Sequence, residues 1–375
     1  MANIGIDCRT ISDNQRGFKR LENLLKAAGE KYTQGIIKLF TENENYNKQL
    51  NLPTNFEVED PKKRLRMIHR KGVGLIGKKL FKDIDVMHFP TADIWYSKYT
   101  HTVVTLHDIA PLHFPEAFFK TIADEKKYYN HLKQINYNSD VLVTVSNYSR
   151  DEISEYFNRS KDSIKVIWQG YDPQFKPIEL SEEEKKRIKD NYLINDRFWF
   201  YIGGLDVRKN IPFILEVFHD YLVDGGKVRQ LVIAGVSNLE EHNLYPDLSK
   251  ITEDLRITDF VHFTGYIPDE DAVYLMNMAT GFLYPSAMEG FGYPPLEAMA
   301  CGTPLICSNA ASLPEVVEDG GILCPPDDPQ PWLKAMTNIS ENPDPGLRES
   351  ALKQADKFNW KTTAQEFWNI YETIP

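Results

Sequence analysis

The densest set of residues that could do chemistry lies at residues 284–308, YPSAMEGFGYPPLEAMACGTPLICS. The pattern predicts a strand that ends near Tyr284, then a loop, then a helix that begins at Pro294 or Pro295, because proline suits the first helical turn. Gly302, with a proline two residues later, is typical of the end of such a helix. The segment therefore predicts a loop that leads from the carboxyl end of a strand into a helix N-terminus.

Two carboxylates lie in this segment, Glu289 in the loop and Glu297 in the predicted first helical turn. Gly290 and Gly292 would let the backbone approach a ligand closely, and a helix N-terminus attracts an anion such as a diphosphate. A carboxylate can accept hydrogen bonds from paired hydroxyl groups, as on a ribose. Each feature alone also has a structural explanation, because an acidic first turn complements the helix dipole and glycine is common in loops.

A second candidate is the segment FYIGGLDVRKN at residues 200–210. A strand is predicted to run into Gly203 and Gly204, with Arg208 and Lys209 at the start of the next helix. Two cations at the end of a parallel strand suit a pyrophosphate group, which a guanidinium binds as a fork and an ammonium as a mobile point charge. A solvated helix start is an equally simple interpretation.

A third candidate is the segment VVTLHDIAPLHFP at residues 103–115, which places His107 and Asp108 directly after a buried strand. An imidazole in that position could bind sugar hydroxyl groups or phosphate oxygens. The alternatives are a structural histidine and an aspartate that caps the following turn.

Short apolar stretches alternate with amphipathic ones along the chain, a pattern that predicts βα units and parallel sheets. The predicted strands of the first half are residues 3–7, 35–40, 85–89, 102–106, 141–145 and 164–168. Those of the second half are residues 198–203, 230–234, 261–264, 281–284 and 304–308. We therefore expect an α/β protein of two domains, joined by a linker at residues 169–177, with a ligand in the cleft between them at the carboxyl ends of the strands.

The composition excludes several classes of protein. The net charge of −11 opposes a broad nucleic-acid surface, which needs basic residues to neutralise phosphates. We expect a cytoplasmic protein, because the sequence contains neither a signal-peptide pattern nor a run of about 18 apolar residues. The cysteines lack metal-ligand spacing and are expected to be buried apolar residues: Cys8, Cys301, Cys307 and Cys324.

One basic segment departs from the acidic background. From Lys62 to Lys82 the sequence has nine lysines or arginines and no acid, with apolar residues interleaved. Such a segment could rest on the anionic inner face of a membrane or bind a lipid-linked diphosphate acceptor. A solvated basic helix explains it equally well.

These segments together resemble the retaining nucleotide-sugar glycosyltransferases of family four, which have the GT-B fold of two facing Rossmann-like domains. Glu289 and Glu297 match the E-x7-E spacing of that family, within EGFGYPPLEAMACGTPLI. Further matches are the HD pair at residues 107–108 and the segments VSNYSRDEI, WQGYDPQF and TGYIPDEDAVYLMNMA. The resemblance implies an acceptor domain at residues 1–170, a donor domain at residues 171–357 and a C-terminal helix at residues 358–375 that returns to the first domain.

The resemblance also implies roles for individual residues, with Glu289, His107, Arg208 and Lys209 as the catalytic set. Arg208 and Lys209 would bind the diphosphate beside Gly204, and His107 would reach the sugar and the diphosphate from the first domain. The other implied donor contacts are Glu297 to the ribose hydroxyl groups, the loop at Tyr266 and Ile267 to the base, Glu289 with the amides of Gly290, Phe291 and Gly292 to the sugar, and Leu296.

The first loop departs from the family pattern. Family members commonly have a glycine pair there that contacts the diphosphate, whereas DNQRGFKR at residues 13–20 has Gly17 alone. Arg16, Lys19 or Arg20 could supply positive charge in its place. Arg16 and Gly17, together with Asp108, are therefore candidates for the first loop or the acceptor site.

The sequence DED at residues 269–271 has the form of a divalent metal site. It follows a proline and opens a predicted helix, so capping is the expected role. No metal and no cofactor are predicted.

The resemblance implies a retaining hexosyltransferase that moves mannose, glucose or rhamnose from a nucleotide-diphosphate sugar to a glycan or lipid-linked acceptor, in bacterial surface polysaccharide synthesis. The implied mechanism is a front-face substitution in which the leaving phosphate takes the proton of the acceptor, without a covalent nucleophile. The site must then stabilise charge on both the leaving group and the sugar. The alternatives are a nucleotide-sugar 2-epimerase or hydrolase of the same fold, which would need no acceptor, and a catalytically silent GT-B partner subunit.

Overall fold

The computed structural model describes residues 2–9, 16–32, 35–60, 83–92, 94, 100–237 and 243–374. The basic segment from Lys62 to Lys82 lies outside the described residues, as do residues 13–15 of the predicted first loop. Arg16 and Gly17 open a helix, Arg16–Lys31, and the side chain of Arg16 is outside the described part. The predicted loop therefore ends by residue 15, because Leu21, Leu24, Leu25 and Ala28 bury one face at helical spacing.

The described residues of the first half form a seven-stranded sheet in the order β3-β2-β1-β4-β5-β6-β7, and neighbouring strands pair in parallel. The order reverses between β1 and β4, which is the topological switch point of a doubly wound sheet. The strands are β1 Ile4–Asp7, β2 Ile37–Phe40, β3 Phe56–Glu59, β4 Val86–Phe89, β5 His101–Thr105, β6 Val141–Thr144 and β7 Ile164–Val166.

The second half forms a six-stranded parallel sheet in the order β10-β9-β8-β11-β12-β13. Its switch point lies between β8 and β11, whose register pairs Phe282 with Phe200. The strands are β8 Trp199–Ile202, β9 Leu231–Ala234, β10 Val261–Gly265, β11 Gly281–Tyr284, β12 Leu305–Ser308 and β13 Ile322–Cys324. The predicted α/β class with two parallel sheets is confirmed.

The sequence analysis missed two strands, β3 and β13, and both lie at a sheet edge. In β3 two glutamates alternate with apolar residues, because one side of an edge strand faces water. β13 has only three residues and one buried side chain, Cys324. The apolar run is therefore interrupted in β3 and short in β13, whereas the central parallel strands have the longer apolar runs that predict a strand.

Helices connect the strands and cover the sheets. Those with residues from the first half, and the final helix, are Arg16–Lys31, Tyr46–Gln49, Pro115–Phe118, Ile122–Asn138, Asn147–Phe157 and Trp360–Thr373. Those of the second half are Glu182–Tyr192, Ile211–Val223, Leu248–Asp254, Asp269–Met278, Tyr293–Cys301, Leu313–Val317, Pro329–Glu341 and Pro345–Ala355. Among the described residues, none of the helices is both long and apolar enough to cross a membrane.

The chain divides into two compact units. The first comprises Met1–Ile109, Thr121–Asp172 and Phe358–Pro375, and the second comprises Ala110–Lys120 and Pro173–Lys357. Residues 110–120 therefore differ from the expected domain limits, because their contacts are with the second unit: the Asn243 side chain donates a hydrogen bond to the carbonyl of Glu116 at 3.3 Å. As predicted, all four cysteines are buried, and none forms a disulfide.

The C-terminal helix Trp360–Thr373 packs on the first unit. The ring of Trp368 stacks on that of Tyr32 with centroids 3.7 Å apart, and the Thr363 hydroxyl donates to the carbonyl of Trp168 at 2.8 Å. A Cβ at Gly170 would lie 2.5 Å from the backbone nitrogen of Trp360, so only glycine allows this approach. The expected return of the last helix to the first domain is therefore present.

A buried histidine also links this helix to the sheet. His88 on β4 is 1% exposed, with its Nδ1 2.6 Å from the Tyr371 hydroxyl and its Nε2 3.0 Å from the Thr105 hydroxyl. Burial and, after it, the nearby His107 lower the pKa of His88 from 6.5 to about 3. His88 is therefore neutral in the folded protein at any pH well above this lowered pKa.

Replacement of His88 by glutamine should reduce the dependence of stability on pH. In unfolded wild type, His88 binds a proton once the pH falls below its ordinary pKa of 6.5. In the folded protein it binds a proton only when the pH falls to about 3. The stability of wild type therefore falls as the pH falls between these two values. Relative to His88→Gln, wild type should lose about 1.4 kcal/mol of unfolding free energy per pH unit between about pH 6 and 4. Urea unfolding at several pH values measures this.

The control is Tyr371→Phe, which removes one hydrogen bond from His88 but leaves the imidazole in place. It should lower stability and keep the pH slope of wild type. A pH-independent difference between wild type and His88→Gln would contradict the assignment of His88 as a buried neutral group.

Candidate functional site

Most candidate residues of the second unit lie in the loops that follow β8 and β11. These two strands are neighbours at the switch point of the sheet, where the following loops diverge to opposite faces and leave a crevice at the carboxyl ends. The loop after β8 contains Gly204, Arg208 and Lys209, and the loop after β11 contains Glu289. The topology therefore brings together two segments that are about 80 residues apart in sequence.

The loop after β8 is held by its own side chains. The Tyr201 hydroxyl donates to the carbonyl of Gly204 at 2.5 Å, and a Cβ at Gly203 would lie 2.7 Å from that hydroxyl, so glycine is required there. Asp206 accepts the backbone N–H of Arg208 at 3.3 Å and caps a 3-10 turn, Val207–Lys209. The two cations thus lie in this turn, and Asn210 separates them from the helix Ile211–Val223, at whose start they were predicted.

Arg208 connects the two loops. Its guanidinium binds Asp206 through two contacts, Nε to Oδ1 at 2.7 Å and Nη2 to Oδ2 at 3.2 Å. Its backbone carbonyl accepts the N–H of Ala287 at 2.8 Å and the hydroxyl of Ser286 at 3.1 Å. The cationic turn and the loop after β11 are therefore joined at the backbone, whatever their side chains bind.

Lys209 and Glu289 form a buried ion pair, with Nζ 2.5 Å from Oε1 and each residue 8% exposed. The Tyr284 hydroxyl donates to the same Oε1 at 2.7 Å and lies 3.5 Å from the Lys209 ammonium. An ammonium has three N–H donors, so Lys209 can bind Glu289 and a further anion at the same time. The pair thus provides a cation that is already neutralised and oriented before any ligand arrives.

Electrostatics keep Glu289 ionised. Burial alone would raise the pKa of Glu289, but the charge and hydrogen bond of Lys209 and the hydrogen bond of Tyr284 outweigh it and lower that pKa. Burial and then the Glu289 charge raise the pKa of Tyr284 well above its ordinary value, so its hydroxyl stays a donor. Glu289 is therefore a carboxylate at neutral pH.

The loop from residue 285 to residue 292 is fixed along its length. The Ser312 hydroxyl donates to the carbonyl of Glu289 at 2.9 Å, and the Ser308 hydroxyl donates to the carbonyl of Ser286. Gly292 has φ +105°, a conformation that L side chains rarely adopt, and a Cβ there would lie 2.7 Å from Leu313. The approach to the next helix therefore depends on glycine.

The helix Tyr293–Cys301 begins one or two residues earlier than predicted. Two expectations are wrong as a result, one about the position of Glu297 and one about the amides of the helix N-terminus. Glu297 lies in its second turn rather than its first, because Gly292 is the N-cap and both prolines fall inside the helix start. Pro294 and Pro295 have no N–H, and the amide of Leu296 donates to the carbonyl of Gly292 at 3.3 Å. Residues 294–296 therefore have no free amide to donate to an anion, and only the helix dipole could attract one there.

Glu297 and its neighbours are buried, as a site wall would be. Glu297 is 7% exposed, and Leu296 and Cys301 are fully buried. Burial and then the charge of Glu297 raise the pKa of Cys301 to about 12, so this thiol is inert at neutral pH. Phe291 packs its ring against Tyr293, with centroids 5.0 Å apart, and Gly290 is buried beside it.

The predicted base loop follows β10 at the same edge of the sheet. Tyr266 is 68% exposed, whereas Ile267 is 3% exposed and belongs to the core. A ligand could contact the side chain of Tyr266, but it could meet Ile267 only through the backbone. The amide of Gly235 donates to the carbonyl of Gly265 at 2.9 Å, which ties this loop to the end of β9.

His107 and Asp108 follow β5 and belong to the first unit. The Nε2 of His107 lies 3.3 Å from the carbonyl of Pro90, which can only accept, so this nitrogen has the proton. Burial and then the charge of Arg20 lower the pKa of His107, against the opposing effects of Asp108 and Pro90. The neutral ring therefore has Nδ1 as an acceptor.

The DED sequence has a different role from the one predicted. Pro268 is the N-cap of the helix Asp269–Met278, and no side chain caps it. Asp271 instead pairs with Arg187 at 3.1 Å and accepts the Tyr192 hydroxyl at 2.5 Å. This acid therefore joins two helices, Asp269–Met278 and Glu182–Tyr192.

Sequence reasoning missed Tyr284 and Asp206, the two residues that orient the charged groups. The sequence predicts only that a strand ends near Tyr284, which gives no indication that the Tyr284 hydroxyl reaches Glu289. A sequence signal for Asp206 did exist, because an aspartate side chain in a turn often accepts the backbone N–H of the residue two positions later, here Arg208.

Comparison with known proteins identifies the architecture first. The Anabaena protein HepE in complex with UDP and glucose superposes with a TM-score of 0.72 over 100% of both chains, at 18% identity. WaaG, a glycosyltransferase involved in lipopolysaccharide biosynthesis, has a TM-score of 0.69 at 13% identity over 99% of this chain and 100% of its own. The fold is that of the GT-B glycosyltransferases.

The sequence comparisons then define the family. The family model described as glycosyl transferases group 1 matches residues 182–358. O-antigen chain mannosyltransferase B of Escherichia coli is 32% identical over 280 residues, which is 72% of this chain and 70% of the relative. The serotype-specific mannosyltransferase WbdA of Escherichia coli is 29% identical over 268 residues, but this match covers 70% of this chain and only 32% of WbdA. The chain belongs to the glycosyl transferases group 1 family.

Proposed function

We propose that this protein transfers a hexose, specifically mannose, from a nucleoside-diphosphate sugar to a glycan or lipid-linked acceptor in the synthesis of a surface polysaccharide. The observation that carries the proposal is the buried pair of Lys209 and Glu289 at the switch point of the second sheet. A glycosyl transfer needs a cation beside the leaving diphosphate and a carboxylate beside the sugar hydroxyl groups. The pair supplies both groups in one place.

The choice of mannose and of a surface polysaccharide follows from the relatives. Two of them are named mannosyltransferases, and one of these acts, by its name, on an O-antigen chain. Each match covers at least 70% of this chain. We extend that donor sugar and that class of acceptor to this protein as a proposal.

Arg208 and Lys209 would bind the diphosphate. The guanidinium forms two parallel hydrogen bonds to oxygen anions, and the ammonium adds a compact charge. Gly204 is the exposed residue beside them and would allow close approach of the phosphates. As the bond between sugar and diphosphate breaks, negative charge grows on the leaving oxygen, and these two cations would stabilise it.

Glu289 would bind hydroxyl groups of the sugar, and Glu297 those of the ribose. We do not assign a covalent nucleophile, since Oε1 of Glu289 already accepts hydrogen bonds from Lys209 and Tyr284. The leaving phosphate would take the proton of the acceptor on the face that it vacates, which retains the anomeric configuration. Tyr266 would contact the base with its exposed ring, and His107 would accept a sugar hydroxyl through Nδ1.

A thermal-shift screen with GDP, UDP, ADP and dTDP tests donor binding directly. The nucleotide of the natural donor, at 100 times its dissociation constant, should stabilise the fold by about 2.7 kcal/mol, and the other three should do so less. Lys209→Met should lose the shift. If none of the four nucleotides stabilises the protein, the proposed donor site is wrong.

Tyr284→Phe removes only the hydroxyl that donates to Glu289. A hydrogen bond to a charged group contributes about 1.5 to 3 kcal/mol, so we expect kcat/KM for transfer to fall about 10-fold. The fold should remain, because the ring keeps its stacking on Tyr201, with centroids 5.7 Å apart. Steady-state kinetics measure the effect, and an unchanged kcat/KM would show that this hydrogen bond does not support the reaction.

We further propose that the basic segment from Lys62 to Lys82 binds an anionic membrane surface. Its nine cations and interleaved apolar residues support this, since each lysine or arginine near such a surface contributes about 1 kcal/mol. Wild type should sediment with phosphatidylglycerol liposomes at low salt, whereas a variant in which all nine basic residues are neutralised should stay in the supernatant. Equal sedimentation of the two proteins, or none of either, would contradict the proposal.

A further inference from the structure

A phenylalanine from the first half of the chain lies against Arg208. Residues 110–120 belong to the second unit, and the ring centroid of Phe118 is 5.4 Å from the central guanidinium carbon of Arg208. Such a distance gives an attraction between the cation and the electron-rich face of the ring. The guanidinium is therefore contacted by Phe118 through the ring and by Asp206 through two hydrogen bonds.

The backbone around this contact is built to hold it. The side chain of Asn243 donates to the carbonyl of Glu116, two residues before Phe118, at 3.3 Å. The next residue, Leu244, accepts the N–H of Val207, the residue before Arg208, at 2.9 Å. One short piece of chain thus anchors both the segment that presents the ring and the turn that presents the guanidinium.

We propose that Phe118 is a positioning residue for donor binding, which fixes the Arg208 guanidinium in the orientation that meets the diphosphate. The inference rests on the proposed function, in which Arg208 is a diphosphate ligand. An arginine side chain has several rotatable bonds, and ordering it costs free energy each time a ligand binds. A guanidinium that is already held by a ring and a carboxylate has lost most of that freedom beforehand, so the ligand binds more tightly.

Calorimetric titration of the full-length protein tests this with Phe118→Leu and Phe118→Tyr. The probe is whichever of GDP, UDP, ADP and dTDP gives the largest thermal shift. Leucine keeps an apolar side chain but has no ring face, and we expect it to weaken binding about 3- to 10-fold. Tyrosine keeps the ring and should stay within about 2-fold of wild type. Asn243→Ala removes one hydrogen bond that holds the same segment but leaves the ring, so it should weaken binding less than Phe118→Leu does.

The double variant Phe118→Leu with Arg208→Ala separates the inference from the proposed function. If Phe118 acts through Arg208, leucine should cause no further loss of affinity in the Arg208→Ala background. An equal loss in both backgrounds, or loss in Phe118→Tyr as large as in Phe118→Leu, would overturn the inference while leaving the donor site intact. If Arg208→Ala itself does not weaken binding, the role of Arg208 in the proposed function fails instead. Unfolding midpoints of each variant identify any that lose affinity through misfolding.

Discussion

Replacement of Lys209 by methionine should lower kcat/KM for transfer by about 10³-fold, since it removes the cation proposed to stabilise the leaving diphosphate. It should also reduce the free energy of unfolding by about 3 to 5 kcal/mol, because Glu289 is then a buried carboxylate without its partner. The pKa of Glu289 should rise in the variant, since Lys209 is the chief opponent of the burial that raises it. Enzyme kinetics and urea unfolding measure the two effects.

The chain offers a matched control in Lys227→Met. Lys227 pairs with Glu341 at 3.2 Å, but both side chains are exposed, so the loss should cost no more than about 1 kcal/mol and leave activity unchanged. Lys209→Arg keeps the charge and should retain more stability than Lys209→Met. If the Lys209→Met variant kept the activity of wild type, this lysine would have no role in catalysis.

Replacement of Glu289 by glutamine should separate sugar binding from diphosphate binding. The amide keeps the shape of the side chain but removes its charge, and misplacement of the sugar should lower kcat/KM by about 10²-fold. Affinity for the nucleoside diphosphate alone should stay within about 3-fold of wild type, because Lys209 and Arg208 remain. Kinetics with the nucleotide sugar and calorimetry with the nucleotide measure these separately.

A parallel loss of activity and nucleotide affinity in Glu289→Gln would mean that Glu289 acts only by holding Lys209. The control is Glu341→Gln, because Glu341 also pairs with a lysine, Lys227, but on the surface. Neither kcat/KM nor nucleotide affinity should change in this variant.

The sequence predicted the central strands of both sheets, because a buried parallel strand is a continuous apolar run between helices. The resemblance to family four, rather than either segment by itself, implied that Glu289, Arg208 and Lys209 belong to one site. The edge strands β7 and β10 were predicted as well, whereas β3 and β13 were missed. In β3 two glutamates alternate with apolar residues, and β13 has only three residues, so neither gives a long apolar run.

The contacts within the site could not be predicted from the sequence. The pairing of Lys209 with Glu289 rather than with Asp206 depends on which side of the turn each side chain leaves, and the sequence does not specify this. The contact between Phe118 and Arg208 joins residues 90 positions apart and requires that residues 110–120 belong to the second unit. Such contacts are set by the tertiary packing, whereas the residue types that could bind a diphosphate or a sugar are visible in the sequence.

The cations of the site are paired with acids before a ligand is present. Asp206 binds Arg208 and Glu289 binds Lys209, so the two positive charges that a diphosphate would meet are already paired and oriented. In the proposed reaction, this would lower the cost of reorganisation as the leaving group develops its charge. A diphosphate would then add to existing ion pairs, which both cations can accommodate with several N–H donors each.

The most direct test is NMR of the product formed from a nucleoside-diphosphate mannose and a mannose-terminated oligosaccharide. We predict a new glycosidic bond with the anomeric configuration of the donor, formed by wild type and not by Lys209→Met. A product of inverted configuration, or free mannose released at the same rate without the oligosaccharide, would contradict a retaining mannosyl transfer at the pair of Lys209 and Glu289.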